Sequence, residues 1–382
     1  MYFDHTATRL MRREDIDYYC ELLYSYNYNP ASAYAVAEES RERMQKARLK
    51  LSEILGCQPQ QMIFTSGASE SINTVLQNAV LSNKEDVRIL ITDGEHDAIR
   101  HTLEFWQKEF SIKFDSCPLN ADGAVDQSAL IDLLNTNTYD LFCFIHVSNL
   151  WGSINPVSEI VEICRRTQPR MKIHLDAVQS IGKVDFNFQK FDVDFATMSG
   201  HKIGAPKGIG LLLVKNTATL KPLIHGGGQQ NNLRSGTENV AIVCILAHCL
   251  EKLMSDNSSE YVAELRCELL DELSKGGVKY TCLVSGVPNI LSLIVHDLRA
   301  ETIINLLSAK GIYVSAGSAC NAKNGSNSAL SKLIQVLPCR DTLPKDAEQK
   351  MLRISFNETN TLDEVRVLAQ TIIEAVNKYG GH

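Results

Sequence analysis

Two hydrophobic patterns alternate along the first two thirds of this chain. Short apolar runs of strand length are followed by stretches whose apolar residues recur at helical spacing. The run "MIFT" at 62–65, for example, precedes a turn and then Ile72, Val75, Leu76 and Val80 on one helical face. Further strands are predicted in "VRILITD", "YDLFCFIHVSN", "MKIHLDAVQ", "VDFATMSG" and "GIGLLLVK". Strands that alternate with helices predict an α/β domain with a mostly parallel sheet.

The last third of the chain has a different pattern. We predict strands in "PNILSLIVHDL" and "MLRISFNE", with a helix between them in "AETIINLLSAKG". Another helix begins at Thr361, because Glu364 three residues later completes a T-x-x-E capping box. A chain of 382 residues exceeds what one hydrophobic core usually serves. We therefore predict a large α/β domain over residues 15–252 and a smaller α+β domain formed by residues 1–14 together with 253–382.

Polar side chains follow five of the predicted strands. They are the "SGAS" turn at 66–69, His96, Asn149, Asp176 with Gln179, and the stretch "SGHK" at 199–202. In open α/β sheets, ligands bind beyond the carboxyl ends of the strands. Polar side chains after five strands therefore predict one shared pocket at that edge of the sheet.

Composition and charge narrow the classes of partner. The formal net charge of -7 argues against nucleic acid or an anionic membrane surface as the main partner. The N-terminal stretch "MYFDHTATRLMRRED" has no apolar segment typical of a signal peptide. Apolar runs of about 18 residues do not occur in the sequence, so we expect no membrane span.

The eleven cysteines form no recognisable framework. Their number is odd and no C-x-x-C spacing occurs, which fits neither a disulfide scaffold nor a zinc ribbon. Most lie in apolar runs, such as Cys143 in "LFCFIHV", and are interpreted as small buried hydrophobic residues in a reducing compartment. We therefore expect a cytoplasmic protein without a metal site.

Three of the polar groups have complementary chemistry. The turn at 66–69 opens a helix, so its free N–H groups and the helix dipole would favour a phosphate. The carboxylate of Asp176, at the end of a buried strand, needs a cation, which a protonated pyridine nitrogen would supply. The amine of Lys202, if desolvated, has a lowered pKa and becomes a nucleophile toward an aldehyde. Together these groups describe a pyridoxal phosphate site.

Each of these residues also has an ordinary structural interpretation. Asp176 could be a helix N-cap, His96 a satisfied core histidine and Arg353 part of a strand-edge ion pair. Only their combination favours catalysis. Cys320 differs from the other cysteines, because it lies in "SAGSACNAKNGSNSAL", a polar stretch rich in glycine and serine that predicts a mobile loop.

Segments spread over almost the whole chain resemble those of one family. They include "FDHTAT", "NPAS", "FTSGASESIN", "GEHDAI", "HVSN", "LDAVQSIGK", "SGHKIGAPKGIG", "GGGQQNNLRSGT", "SAGSAC" and "LRISF". Their order and spacing resemble the NifS-like cysteine desulfurases of the class V aminotransferase group. The resemblance implies a fold-type-I pyridoxal phosphate-dependent transferase that forms a homodimer. Its large domain, residues 15–252, would bind the cofactor, and its small domain would carry the Cys320 loop.

The resemblance also implies how the cofactor is held. Lys202 would bind pyridoxal 5'-phosphate as a Schiff base, and Asp176 would keep the pyridine nitrogen protonated. His96 would stack on the ring and take part in proton transfer. Asn149 and Gln179 would bind the phenolic oxygen. Four residues of the same chain would hold the phosphate: Ala68, Ser69, Ser199 and His201.

Further residues would come from elsewhere in the dimer and act on the substrate. Thr237 would reach the phosphate from the other subunit. Arg353 would clamp the carboxylate of L-cysteine, with Asn149 beside the substrate. Cys320 would take the sulfur as a persulfide, leaving L-alanine, and would deliver it to a protein acceptor such as an iron–sulfur scaffold or a tRNA-thiolation protein. The loop position suits Cys320, because the thiol must reach the pocket and then the acceptor.

The sequence departs from the family pattern in three places. Gln230 stands where an acidic residue often follows G-G-G-Q, Leu150 where an acidic residue often follows the asparagine of "HVSN", and Tyr34 where a histidine is common after "NPAS". The segment "PCRDTLPKDAEQKM" at 338–351 is also long. These differences bear on substrate preference and partner choice.

Two alternatives stay open at this point. The chain could be a selenocysteine lyase or another pyridoxal phosphate-dependent C–S lyase, because selenocysteine cleavage can proceed without a protein thiol. It could also be a catalytically silent docking module in sulfur or iron–sulfur assembly. The joint presence of Lys202, Asp176, His96, Cys320 and Arg353 favours a catalytic cysteine desulfurase.

Overall fold

The computed structural model of the chain describes residues 1–81, 86–110, 112–256, 258–284, 286–316 and 328–380. The strands are β1 (Met62–Thr65), β2 (Arg88–Thr92), β3 (Lys113–Cys117), β4 (Leu141–Ile145), β5 (Lys172–Asp176), β6 (Phe195–Ser199), β7 (Gly210–Val214), β8 (Tyr280–Leu283), β9 (Ile290–Val295), β10 (Ser315–Ala316) and β11 (Met351–Ser355). The helices are α1 (Arg13–Ser25), α2 (Ala35–Leu55), α3 (Ala68–Val80), α4 (Asp97–Glu109), α5 (Gln127–Thr136), α6 (Val157–Thr167), α7 (Phe188–Phe191), α8 (Gln229–Asn232), α9 (Val240–Met254), α10 (Ser259–Lys275), α11 (Ala300–Ala309), α12 (Ala329–Val336) and α13 (Leu362–Tyr379). Within these ranges, no helix has the length and apolar character needed to cross a membrane.

The larger sheet has the strand order β1-β7-β6-β5-β4-β2-β3 over the described residues. Strands β3, β2, β4, β5 and β6 pair in parallel, whereas β7 is antiparallel to both of its neighbours, β6 and β1. Strand β1 therefore points the same way as β6. The predicted mostly parallel sheet is confirmed, and the carboxyl ends of β1, β2, β4, β5 and β6 lie at one edge.

Both faces of this sheet are covered by helices. In β4, Phe142 and Phe144 pack into one apolar cluster, while Leu141 and Cys143 pack into a second cluster on the opposite face. Successive side chains of a strand point to opposite faces, so a strand buried on both sides needs apolar residues at every position. The continuous apolar run in "LFCFI" follows from this arrangement.

The smaller sheet is antiparallel, with the order β10-β11-β9-β8 among the described strands. Helices α10, α11 and α13 supply apolar side chains to its core, and Phe3 from the chain start is fully buried there. The predicted capping box of α13 is confirmed, since Thr361 and Glu364 each bond the other's backbone N–H. The domain boundaries at 14/15 and 252/253 stay a prediction.

Leu150 lies in an apolar cluster between the two sheets. It is buried together with Trp151 and with Leu330 and Leu333 of α12. The 338–351 segment joins this cluster through Ala347 and contains two short 3-10 turns, Arg340–Thr342 and Ala347–Lys350. Packing between the sheets therefore explains both the apolar residue at 150 and the ordered course of the long segment.

Candidate active site

A cavity of about 440 Å³ opens at the edge where the five strand ends meet. Its volume lies in the range typical of small-molecule sites. Nine residues predicted from the sequence line it: Ala68, Ser69, His96, Asn149, Asp176, Gln179, Ser199, His201 and Lys202. The structure thus brings these side chains together, while the role of each stays a prediction.

Lys202 ends the 3-10 turn Gly200–Lys202 that directly follows β6. Its Nζ donates hydrogen bonds to the carbonyl oxygens of Thr6 and Ala7, both at 2.8 Å. Desolvation, followed by the charge of Arg353, lowers the pKa of Lys202 to about 8, although Asp4 and Asp176 act in the opposite direction. Near neutral pH, a larger fraction of this amine is neutral than in an exposed lysine.

Asp176 ends strand β5 and is 3% exposed. Burial raises its pKa, and the backbone N–H of Val178 together with the charges of His96 and Lys202 opposes the rise. The N–H of Val178 donates to Oδ1 at 2.9 Å. A buried carboxylate with so few donors gains from a cation placed in the cavity.

The first turn of α3 could bind an anion in the cavity. The first N–H groups of a helix have no acceptor within the helix, and here Ala68 and Ser69 of that turn line the cavity. His201 lines the same cavity, with its Nδ1 paired to Thr8 Oγ1 at 2.9 Å. Desolvation and the charges of Lys202 and Lys207 lower the pKa of His201 to about 4, so its ring is neutral.

His96 is the N-cap residue of α4. Its Nδ1 accepts the backbone N–H of Ala98 at 3.1 Å, which leaves Nε2 to carry the proton of the neutral ring. The side chain is exposed and lies at the cavity lining rather than in the core. The interpretation as a satisfied core histidine is therefore wrong.

Arg353 connects the smaller sheet to the cavity. From β11 it donates Nη1 to the carbonyl oxygen of Asn149 and Nη2 to Oδ1 of Asp4, each at 3.0 Å. The residue is 7% exposed, and its Nε has no hydrogen-bond partner among the described residues. Arg353 is not among the residues lining the cavity in the described ranges, but Asn149, its neighbour, is.

Like Arg353, Thr237 does not line the cavity among the described residues. Thr237 is exposed and borders a smaller neighbouring cavity, which shares Ser66 and Gly208 with the main one. Cys320 lies outside the described residues, so its predicted role stays a prediction. Within the described ranges, no group of three or more His, Cys, Asp or Glu side chains is placed to hold a metal ion.

Sequence reasoning missed two acidic residues at the site. Asp4 holds Arg353, and Glu95 lies buried behind the cavity, where its Oε1 accepts from Thr92 Oγ1 at 2.5 Å and from Ile145 N at 3.0 Å. Burial raises the pKa of Glu95 to about 8, against the hydrogen bond from Thr92. Both residues belong to segments that carry the family resemblance, "FDHTAT" and "GEHDAI", which was the available signal.

Comparisons with known proteins identify the family of this chain. Residues 1–368 match the sequence model of the family described as aminotransferase class V. Cysteine desulfurase IscS of Methanosarcina thermophila is 30% identical over 386 aligned positions, which cover 99% of this chain and 92% of that protein. A solved NifS-like protein has 30% identity and a TM-score of 0.89, with 99% of both chains covered.

A second solved structure supports the fold alone. The NifS-like protein from Rickettsia africae ESF-5 is 24% identical with a TM-score of 0.84, and the match covers 99% of each chain. The predicted fold class, a fold-type-I α/β architecture with a smaller second sheet, is confirmed. The chain belongs to the class V aminotransferase family, whose members use pyridoxal phosphate.

Proposed function

We propose that this protein is a pyridoxal phosphate-dependent cysteine desulfurase that converts L-cysteine to L-alanine and transfers the sulfur to Cys320 as a persulfide. One observation carries the proposal: a desolvated lysine amine and a buried carboxylate, Lys202 and Asp176, line the same cavity. An amine with a pKa of about 8 suits both attack on an aldehyde and proton transfer near neutral pH.

The residues of the cavity fit pyridoxal 5'-phosphate. The first turn of α3, with Ala68 and Ser69, would offer N–H donors to the phosphate, and Ser199 and His201, which line the same cavity, would also contact it. Asp176 supplies the anion that a protonated pyridine nitrogen needs, and Gln179 offers an amide to the phenolic oxygen. When bound, the cofactor would supply a ring that accepts electrons from the substrate Cα.

Lys202 has two tasks in this proposal. Its amine would hold the aldehyde group of the cofactor, and in its free state the same amine would take the proton from the substrate Cα. The carbonyl oxygens of Thr6 and Ala7 would orient Nζ in its free state, because both accept from it at 2.8 Å. His96 at the cavity lining would stack on the ring and exchange protons through Nε2.

Arg353 would bind the substrate carboxylate. Its guanidinium is fixed on one side by Asp4 and on the other by the carbonyl oxygen of Asn149, and Nε has no partner among the described residues. A planar fork held in this way is suited to a carboxylate. Asn149 would also contact the substrate.

Cys320 would complete the reaction by sulfur transfer. Its thiolate attacks the substrate sulfur, so that a sulfur–sulfur bond forms and the carbon–sulfur bond breaks. The electron pair of the broken bond stays on the substrate Cβ, which takes a proton, and the proton that Lys202 removed returns to Cα, so that the product leaves as alanine. The persulfide then passes its sulfur to a protein acceptor, such as an iron–sulfur scaffold or a tRNA-thiolation protein.

The test is product formation from L-cysteine with and without a thiol reductant. We expect alanine from the wild type, sulfide release that depends on the reductant, and loss of both in Cys320→Ala. Full retention of alanine formation in Cys320→Ala would contradict the proposal. A wild type that forms alanine from selenocysteine but not from L-cysteine would favour a selenocysteine lyase, and a wild type that forms alanine from neither would favour the docking module.

A further inference from the structure

Lys183 is a second desolvated amine beside the cavity, and the reaction above gives it no task. It follows β5 by a short turn, and its Nζ donates to two oxygens of Gln179: the backbone carbonyl at 3.2 Å and the side-chain Oε1 at 2.9 Å. Desolvation, together with the charges of Arg9 and Lys202, lowers the pKa of Lys183 to about 7. A lysine withdrawn from water toward one side chain calls for a specific explanation.

The contact with Lys183 determines which way the carboxamide of Gln179 points. In its protonated form, Nζ of Lys183 has three donors and no acceptor, so the amide oxygen faces Nζ and the amide nitrogen faces away. In agreement, Nε2 of Gln179 donates to the carbonyl oxygen of Thr6 at 3.0 Å. The same oxygen of Thr6 accepts Nζ of Lys202 at 2.8 Å. Hydrogen bonds thus connect Lys183 to the reactive amine through Gln179 and Thr6.

This orientation decides what Gln179 offers to a bound molecule. The residue is 1% exposed and lines the cavity. Its Nε2 has two hydrogens, one of which goes to Thr6, and the other is available to an acceptor in the cavity. If the carboxamide of Gln179 were flipped by 180°, its oxygen would face the cavity and would repel an anionic oxygen of a ligand.

We propose that Lys183 is a positioning residue that fixes the Gln179 carboxamide so that a donor, not an acceptor, meets the phenolic oxygen of the cofactor. The inference rests on the function proposed above, in which Gln179 binds that oxygen. Lys183 has no contact with the cofactor in this scheme and acts only through Gln179. A lysine that merely anchors its turn would affect folding, but its effect would be independent of the side chain at 179.

A double-mutant cycle distinguishes a lysine that positions Gln179 from one that only anchors its turn. The variants are Lys183→Met, which keeps the aliphatic stem without the donors, Gln179→Leu, and the double variant, with Lys183→Arg as the control that keeps the donors. We expect Lys183→Met to bind pyridoxal phosphate about tenfold more weakly than the wild type, the usual effect of one lost hydrogen bond to a charged group. The double variant should bind no more weakly than Gln179→Leu alone.

A spectroscopic measurement gives an independent readout. A donor to the phenolic oxygen stabilises its anionic form, so its loss should move the pH midpoint of the cofactor's visible absorption band upward in Lys183→Met. Lys183→Arg should keep the wild-type midpoint. Far-UV circular dichroism and the urea midpoint report whether each variant folds. If Lys183→Met does not fold, Lys183→Leu replaces it as the uncharged variant.

The outcomes distinguish this inference from the proposed function. Equal weakening by Lys183→Met in the wild-type and Gln179→Leu backgrounds, or no weakening at all, overturns the role of Lys183. A wild type that takes up no pyridoxal phosphate overturns the proposed function and this inference with it. A loaded wild type with an additive cycle overturns the inference alone.

Discussion

Among the single residues of the cavity, Lys202 has the environment that most changes its chemistry. Its amine is desolvated, lies beside the charge of Arg353 and is held by two carbonyl oxygens of the N-terminal segment. Carbonyl oxygens orient the amine without neutralising it by a full charge, whereas a directly bonded carboxylate would keep it protonated. Lys202 is therefore prepared for nucleophilic attack in a way that an exposed lysine is not.

The lowered pKa predicts how Lys202 reacts in the protein without cofactor. Only a neutral amine attacks an aldehyde, so reductive methylation with formaldehyde should modify Lys202 with a midpoint near pH 8, rather than near the ordinary lysine value of 10.5. Peptide mass spectrometry at a series of pH values measures the extent of methylation of Lys202 separately from that of Lys183. A midpoint shared with the exposed lysines would contradict the described environment.

Arg353 yields a prediction for substrate binding. Lys at this position keeps the charge but loses the planar fork, so Arg353→Lys should raise KM for L-cysteine by about 10- to 100-fold, with a smaller change in kcat. Steady-state kinetics at fixed pH measure both constants. Asp4→Asn, which weakens the hold on the guanidinium, should raise KM in the same direction but less. An unchanged KM in Arg353→Lys would show that the carboxylate binds elsewhere.

At the scale of the elements, fully buried strands, including the edge strand β1, could be predicted from the sequence, whereas half-exposed edge strands could not. The apolar runs of β4, β6 and β7 are fully buried, and each was predicted. Strand β3, "KFDSC", lies at one edge of the large sheet with only Cys117 buried, and β8, "YTCL", lies at an edge of the small sheet with only Leu283 buried. Polar, half-exposed edges carry little hydrophobic signal.

Some residues of the candidate site could likewise be predicted from the sequence, and others could not. Residues at strand ends could be predicted, because the topology of an α/β sheet brings such ends together whatever their separation in sequence. The pairs Arg353–Asp4 and Glu95–Ile145 could not, because they depend on how distant segments pack and are 349 and 50 residues apart. Sequence periodicity contains no information on such partners.

Helix α8 shows how one departure from the family pattern is accommodated. Gln230, Asn231 and Asn232 all have positive φ values of 49°, 58° and 63°, a conformation that costs non-glycine residues free energy. The side chain of Gln230 bonds both backbone groups of Phe64 in the edge strand β1, accepting N–H at 2.7 Å and donating to the carbonyl at 2.8 Å. A carboxylate at 230 could accept but not donate.

Replacing this amide should therefore destabilise the fold. Gln230→Glu loses one hydrogen bond and places a carboxylate against the carbonyl oxygen of Phe64, so the free energy of unfolding should fall by about 1–3 kcal/mol. Urea denaturation at pH 7 and pH 4 measures it, and the loss should shrink at pH 4, where the protonated carboxyl can donate. Gln230→Ala is the control without repulsion. A Gln230→Glu variant as stable as the wild type would contradict the described contact.

At the scale of the whole molecule, the homodimer predicted from the family resemblance would account for the position of Thr237. The side chain is exposed in the single chain and borders only the smaller cavity, whereas Arg234 of the same loop pairs with Glu70 beside the α3 turn at 3.0 Å. The loop is thus fixed to its own subunit while Thr237 is free to meet another. Tyr34, the third departure, lies exposed with its ring edge-on to Tyr28, and no contact with the residues that the structure describes explains the substitution.

Mixed dimers test whether Thr237 acts across subunits. Thr237→Val alone should bind pyridoxal phosphate about tenfold more weakly, because a hydrogen bond to the phosphate is lost. In a dimer of one Lys202→Ala chain and one Thr237→Val chain, the second chain keeps its Lys202 and receives a wild-type Thr237. Tagged mixed dimers should therefore have one site of wild-type affinity. No such site would form if Thr237 acted within its own chain.

The proposed function depends above all on the covalent attachment of pyridoxal phosphate to Lys202, and this attachment can be measured directly. The purified protein is loaded with pyridoxal phosphate, reduced with borohydride to fix the Schiff base, digested and mapped by mass spectrometry. We expect the phosphopyridoxyl group on Lys202 in stoichiometric amount, with Lys202→Ala unlabelled at every position. Label on Lys183, on Lys207 or spread over surface lysines would contradict the assignment of Lys202 as the reactive amine of the cavity.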